Sequence, residues 1–324
     1  AWHCYYMLFL GHKNAQDLKI SSWPAIPDTV HKQAPLFYIY IFAQHIPAVF
    51  TYQSALGIPR PITVDTLSDL ILWIEKFRRY HGQFGFDQMH WLNNHFHSSL
   101  FRLGRLQFNF SALAHKIMAL KNSSGNIELI LDRDTFMRPD GNYDGADSVF
   151  SPQAWQSTFT CSSGGINAHR INERGLAEKE ATLFGPEYKI ILAPGDSVLG
   201  MHIPETGPLD IPQCVESIKA AEIFFPRYFP SWNFSAFTCQ SWLCDSQLAD
   251  YLEPDSNIIK FLKLFRLYPL PHANDHNLFT QIFGRVLSDY NEIPEKSSLH
   301  RAIKKHIQQG GKWRISGGII LRNK

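Results

Sequence analysis

The residues best equipped for chemistry lie in GMHIPETGPLD, where His202 closes an apolar run and Glu205 follows three positions later. An imidazole at the end of a strand can take the proton of an attacking ammonium, and a carboxylate in the next loop can do so through a water. Tyr268, in LFRLYP, is a weak acid suited to protonating a departing thiolate. Cys239 and Ser241, in FTCQSWL, carry nucleophilic atoms that would form a covalent acyl-enzyme beside a base, although the chain has no G-x-S-x-G elbow. Each has a plainer reading: a hydrogen-bonded structural histidine, a solvated loop carboxylate, a core tyrosine, a buried thiol. Histidines cluster in MHWLNNHFH as His90, His95 and His97, but on a helix His95 turns away from the other two and H-E-x-x-H is not met. No metal is therefore expected.

The elements that position these groups are legible from periodicity. Leu67, Leu70, Ile71, Ile74 and Phe77 recur at helical spacing, with Asp65 or Thr66 available as a cap and Gly82 just past the end. Further helices are expected over 1–11, 35–56 and 86–101. From Leu103 the run LGRLQFNF alternates as a half-buried strand does, which marks a seam and divides the chain into an all-helical domain, 1–102, and an α/β domain, 103–324. In YKIILAPGDSVLGMHIP the pattern predicts a hairpin, with arms over 188–193 and 198–203 joined at Pro194-Gly195. Leu199, Met201 and Ile203 share one face of the second arm, and Val198, Gly200 and His202 the other.

After Pro204 the loop ETGPL leads into a helix. Asp210 and Gln213 form a capping-box-like pair, Pro212 sits where a missing N–H does no harm, and Val215, Ile218, Ala221 (or Glu222) and Phe225 give an apolar stripe. A helix start aimed at the end of a buried strand is a place for an anion such as a pyrophosphate. In GGKWRISGG the phosphate-loop pattern G-x-x-x-x-G-K-[ST] is not met, so its glycines are read as the turn between a helix over 299–307 and a last strand over 314–321.

Composition narrows the classes. The 324 residues are 44% hydrophobic and 19% charged with a formal charge of +2, which suits a soluble protein with a large core and gives no global case for nucleic acid or an anionic membrane. Eight basic residues and no acidic one lie between Lys296 and Lys324, a solvated face or a contact for a ligand's phosphates. Five scattered cysteines point to a reducing compartment, read here as the cytoplasm. The longest apolar runs, such as that in APLFYIYIFAQHIP, are expected to be broken by His and Pro short of the ~20 residues of a membrane span. The start AWHCYYMLFLG reads as a fragment boundary and not as a signal peptide.

The segments RLGRLQF, EYKIILAPGDSVLGMHIPETGPL, FFPRYFP, FTCQSWLCDSQL, LEPDSNIIKF, LFRLYP and GKWRISGGIIL resemble a bacterial two-domain acyltransferase family, with FYIYIFAQHIPAVFTYQSALGIP fitting its helical half. That resemblance implies a helical N-terminal domain followed by a GNAT-like α/β (α+β) domain. It also implies acyl-CoA, acetyl-CoA included, as co-substrate, and direct attack of an amine on the thioester. Carried over, Leu199 to Ile203 would be the fourth strand, with the main chain near Met201 and Ile203 holding the pantetheine. Glu205 to Leu209, with Gly207, would be the phosphate loop. Phe237 to Trp242, including Cys239 and Ser241, would be the fifth strand, with Trp242 walling the acyl channel and Asn257 near the thiol end. The family's usual loop is Q/R-x-x-G-x-G/A, whereas ETGPLD keeps one Gly and Pro208 removes a donor.

The expected function is thus acyl transfer to the amine of a small molecule or peptide, with His202 or Glu205 as base and Tyr268 as acid. The alternatives are a non-catalytic GNAT-like module that binds a ligand or protein, which the degraded loop favours, and a hydrolase-like enzyme using Cys239 or Ser241.

Overall fold

The computed structural model describes Tyr5, Tyr6, Phe9, 33–272, 276–284, Leu287 and 290–322. The helix expected over 1–11 falls almost wholly outside the described residues. Helices α1 (Ala34–Ala55), α2 (Arg60–Leu67), α3 (Asp69–His81) and α4 (Met89–Phe96) come first. Strands β1 (Leu100–Leu103), β2 (Leu106–Ala112), β3 (Ile117–Lys121), β4 (Ile127–Leu131), β5 (Phe136–Met137), β6 (Trp155–Gln156), β7 (Phe159–Ser162), β8 (Gly165–Ile171), β9 (Ala177–Phe184), β10 (Lys189–Leu192) and β11 (Ser197–His202) follow. The remainder is α5 (Ile211–Tyr228), β12 (Ala236–Ser241), α6 (Asn257–Leu262), β13 (Arg266–Tyr268), α7 (His276–Phe283), α8 (Ser298–Gln308) and β14 (Ser316–Leu321). The chain forms two compact units, one of 1–110 with 201–233 and the other of 111–200 with 234–324.

In the first unit, Ile41, Phe42 and Val49 of α1 pack with Leu67, Leu70, Phe86, Leu92 and Phe96 in one apolar core. The helix expected over 35–56 is α1, which runs through both His45 and Pro47 for 22 residues, so His and Pro do not interrupt it short of a membrane-spanning length. By length and composition alone it could cross a bilayer. Pro47 removes one backbone donor from the helix, and one turn later the Thr51 hydroxyl donates to the Pro47 carbonyl at 3.0 Å. The helix expected from Asp65 is two helices, since the chain turns at Ser68 between α2 and α3. Pro59 and Pro61 start α2 upstream of the expected cap, and Gly82, with φ 69°, ends α3 as expected.

Helix α4 stops at Phe96, short of the expected Phe101, because Ser98 takes a positive φ and the chain enters β1. LGRLQFNF is accordingly a tight hairpin and not one strand: β1 and β2 pair from Leu100↔Asn109 to Leu103↔Leu106, with Gly104 (φ 71°) and Arg105 as the turn. Phe101 and Phe110 meet Phe225 and Phe229 of the α5 end, at centroid distances of 5.0 to 6.1 Å. The buried stripe of α5 is Cys214, Ser217, Ala221, Phe224 and Phe225, turned by about one residue from the expected one.

In the second unit, β11, β12, β14 and β13 are neighbours in that order. The parallel β11–β12 ladder covers three pairs, from Val198↔Ala236 to Gly200↔Thr238. A separate sheet runs β10-β3-β4-β8-β7, with β9 on β8. The hairpin expected over 188–203 does not exist. Its two arms enter different sheets: Lys189 and Ile190 pair with Lys121 and Leu120 of β3, whereas β11 pairs with β12. The Pro194-Gly195 turn does form, with the Asp196 N–H donating to the Ala193 carbonyl, but Leu113 takes both strand-facing groups of Gly195 and Asp196 and separates the arms. Side chains from both sheets, among them Ile117, Leu129, Leu192, Val198, Ala236 and Ile319, share one core.

Candidate active site

The chemistry of the first unit gathers around a buried carboxylate. Asp69, at the start of α3 and 2% exposed, accepts from Trp73 Nε1 at 3.0 Å, Trp91 Nε1 at 2.9 Å and Gln107 Nε2 at 2.8 Å. His95 Nε2 lies 3.2 Å from the same carboxylate. Burial opposes ionisation of Asp69, but the hydrogen bonds from His95, Trp91 and Gln107 and the charge of His95 outweigh it and hold the carboxyl below its ordinary range. The helical geometry that turns His95 away from His90 and His97 is what delivers it to Asp69. No group of three or more metal-ligating side chains occurs among the described residues.

Beside this cluster stands His202, the last residue of β11. Its ring is edge-on to Trp91 at 4.7 Å, and its Nε2 is 2.8 Å from Asn109 Oδ1. The Asn109 Nδ2 donates to the Phe110 carbonyl at 3.1 Å, so the oxygen of this amide faces the histidine. The imidazole Nε2 must then carry the proton, which leaves the lone pair on Nδ1. Burial, with the nearby His95, lowers the His202 pKa to about 4, and the Asp69 charge opposes that fall only in part. At neutral pH this histidine is an uncharged base in a defined tautomer. The sequence-based expectation that it takes the proton of an ammonium does not suit so weak a base, whereas an amine already bonding to carbon is acidic enough to give it one.

The loop after β11 is held from below. Arg105, at the hairpin turn and 8% exposed, donates from Nη1 to the Pro204 carbonyl at 2.9 Å, from Nη2 to Gly207 at 3.2 Å and from Nε to Pro208 at 3.1 Å. Arg102 Nη2 donates to Thr206 Oγ1 at 3.3 Å. Gly207 has φ 103°, the one loop residue whose backbone calls for glycine. Glu205 is exposed and ion-paired to Lys76 and Arg79 at 3.2 Å each. Met201 is buried, and Ile203 is half-buried. The expected cap is present, Asp210 Oδ1 accepting from the Gln213 N–H at 2.9 Å. That cap, Pro212 and the Cys214 N–H bond to Asp210 leave the helix start itself with few donors, so any anion here must be met chiefly by the loop.

The other expected residues belong to the second unit. Leu199 is fully buried and in register with Phe237. Cys239 is buried, and the Cys244 thiol approaches its carbonyl at 3.8 Å. Ser241 Oγ accepts from the Leu243 N–H at 3.1 Å as the cap of a short turn, Trp242 packs on a core of Leu248, Ile259 and Trp313, and Asn257 is exposed at the start of α6. Among the described residues no imidazole is hydrogen-bonded to Cys239 or Ser241. Tyr268 is 0% exposed, its hydroxyl has no hydrogen-bond partner among the described residues, and burial together with Cys244 and Cys239 raises its pKa above the ordinary tyrosine value. Gly317 lies flat against its ring, where a Cβ would clash with the ring carbons.

Asn109, Arg105 and Asp69 were not singled out by the sequence reading. In sequence Arg105 and Asn109 look like polar positions of an alternating strand; the local signal for them is an arginine directly after the Gly of a hairpin turn, four places before an Asn.

This arrangement belongs to a known class. Residues 100–320 match the family described as the GNAT-like C-terminal domain and 4–98 that described as the N-acyltransferase N-terminal domain, and the chain is a member of this two-domain family. Its fold is the GNAT-like acyltransferase fold with a helical N-terminal region. Among solved structures it is similar to an acyltransferase in complex with decanoyl-CoA, with 24% identity, a TM-score of 0.66 and coverage of 99% of this chain and 76% of that one. It is likewise similar to an acyltransferase in complex with decanoyl-CoA and teicoplanin, with 24% identity, a TM-score of 0.62 and coverage of 92% and 70%. At this identity the likeness shows the fold. No curated protein matches the sequence.

Proposed function

We propose that this protein transfers an acyl group from an acyl-CoA to an amine by direct attack, with His202 as the general base. The observation that carries the reading is the His202–Asn109 pair, an uncharged imidazole whose Nε2 is committed to an amide oxygen and whose Nδ1 keeps its lone pair. The amine nitrogen bonds to the thioester carbon, its proton passes to Nδ1 as the nitrogen becomes acidic, and the C–S bond breaks to release the CoA thiolate. Solvent then protonates the thiolate. Tyr268, buried and raised in pKa, is poorly suited to that step. The main chain at Met201 and Ile203 would pair with the pantetheine.

Family membership supports the acyltransferase class, and the decanoyl-CoA and teicoplanin held by similar structures support a medium-chain acyl-CoA as donor and a small molecule as acceptor. Glu205, tied to two cations, is the weaker candidate for the base. The test is thiol release from decanoyl-CoA against a panel of amines. His202→Ala should lower turnover by about 10²-fold or more while leaving acyl-CoA affinity within a factor of two; unchanged turnover removes His202 as base. A second reading, a non-catalytic binding module, is favoured by the single glycine and Pro208 in the loop; it predicts acyl-CoA or partner binding with no thiol release from any amine.

A further inference from the structure

The loop lacks the glycines that would let a backbone wrap a diphosphate, yet three of its carbonyls are gathered on one buried guanidinium. In a trans peptide the C=O and the following N–H point in opposite directions, and no peptide bond in the described chain is cis. The Pro204 carbonyl turned to Arg105 therefore sends the Glu205 N–H the other way, and the Pro208 carbonyl does the same for Leu209. Among the described residues neither N–H has a hydrogen-bond partner, in contrast to those of Thr206 and Asp210, which close onto Pro204 and Pro208 at 2.8 and 3.0 Å. Around the loop stand four cations, Lys76, Arg79, Arg102 and Arg105, against two carboxylates, Glu205 and Asp210. The field at the free amides is positive, and Glu205 is neutralised by its own two partners.

Resting on the acyl-CoA reading above, we infer that Arg105 is a positioning residue. It holds the Pro204–Pro208 carbonyls inward so that the Glu205 and Leu209 amides face outward to bind the diphosphate of the donor, replacing by a side-chain clamp the conformation that glycines give elsewhere. A guanidinium can hold three carbonyls at once because its donors are rigidly forked. A lysine cannot hold all three in that geometry.

Calorimetric affinities for decanoyl-CoA and for S-decanoyl-pantetheine, which lacks the nucleotide and its phosphates, separate the possibilities. Arg105→Gln should weaken decanoyl-CoA about tenfold or more and leave the pantetheine thioester within a factor of two, with Arg105→Lys between. Leu209→Pro, which deletes one outward N–H and leaves Arg105 in place, should show the same selective loss, and if the Arg105 variants do not fold it still decides whether the loop amides bind the diphosphate, without which the positioning role falls. Equal loss of both ligands, or no loss, overturns the role of Arg105. A wild-type protein that binds both thioesters equally overturns diphosphate binding by the loop while leaving the transferase reading intact. Binding of neither thioester overturns that reading and the inference with it.

Discussion

Two polar regions of the first unit are built in opposite ways. At Asp69 a buried carboxylate is met by two indole N–H groups, a glutamine amide and an imidazole, so acceptor and donors satisfy one another. In the loop from Pro204 to Leu209, Arg105 engages the Pro204, Gly207 and Pro208 carbonyls while the Glu205 and Leu209 amides have no partner among the described residues. A closed set of hydrogen bonds specifies a fold; an open one has capacity for something the chain does not contain. His202 lies between these extremes, one nitrogen engaged and one free.

That contrast can be broken experimentally. The largest effect is expected at the closed cluster. Asp69→Ala leaves three or four buried donors without an acceptor and should cost about 3–5 kcal/mol in urea unfolding, with Asp69→Asn milder; a loss under 1 kcal/mol would mean that the cluster is not the structural anchor described. Next is Asn109→Asp, which places a carboxylate on the His202 Nε2–H. It should raise the His202 pKa from about 4 toward neutrality and, if His202 is the base as proposed, move the acid limb of the turnover profile with it. An unmoved limb would separate Asn109 from catalysis.

Stability should also fall in acid. His45 and His202 have folded pKa values of about 4, both through burial, with His97 adding to the first and His95 to the second. Between pH 6.5 and 4 the unfolded chain binds more protons than the folded one, so the stability that the neutral rings contribute above pH 6.5 is lost as pH falls toward 4. Urea midpoints at pH 7.5 and 5 should show it, and a double variant, His45→Gln with His202→Asn, should flatten the difference. The smallest effect is expected at Asp210→Ala, a lost helix cap worth about 1 kcal/mol, with thioester affinity nearly unchanged because the loop, and not the helix start, carries the free donors. A large affinity loss there would shift the anion site to the helix.

Sequence made the local features legible. The Asp210–Gln213 cap, the left-handed Gly82, the strand at Leu199 and the loop with its one obligatory glycine all follow from neighbours within a few residues. What sequence did not disclose is pairing over distance. The residues on Asp69 come from positions 73, 91, 95 and 107; Trp73 lies one helical turn away, but nothing local ties Asp69 to Trp91, His95 or Gln107. The turn at Pro194-Gly195 is chemically the turn of a hairpin, and only Leu113 and β3, far off in the chain, decide that its arms part. Arg105 read as one member of an alternating strand because its role depends on a loop some hundred residues later.

The most direct test of the account is titration of the intact protein with decanoyl-CoA, followed by addition of an amine panel to the saturated complex. Saturable one-to-one binding and thiol release that requires His202 are expected. Absence of binding at millimolar thioester, or release undiminished in His202→Ala, would contradict the proposal.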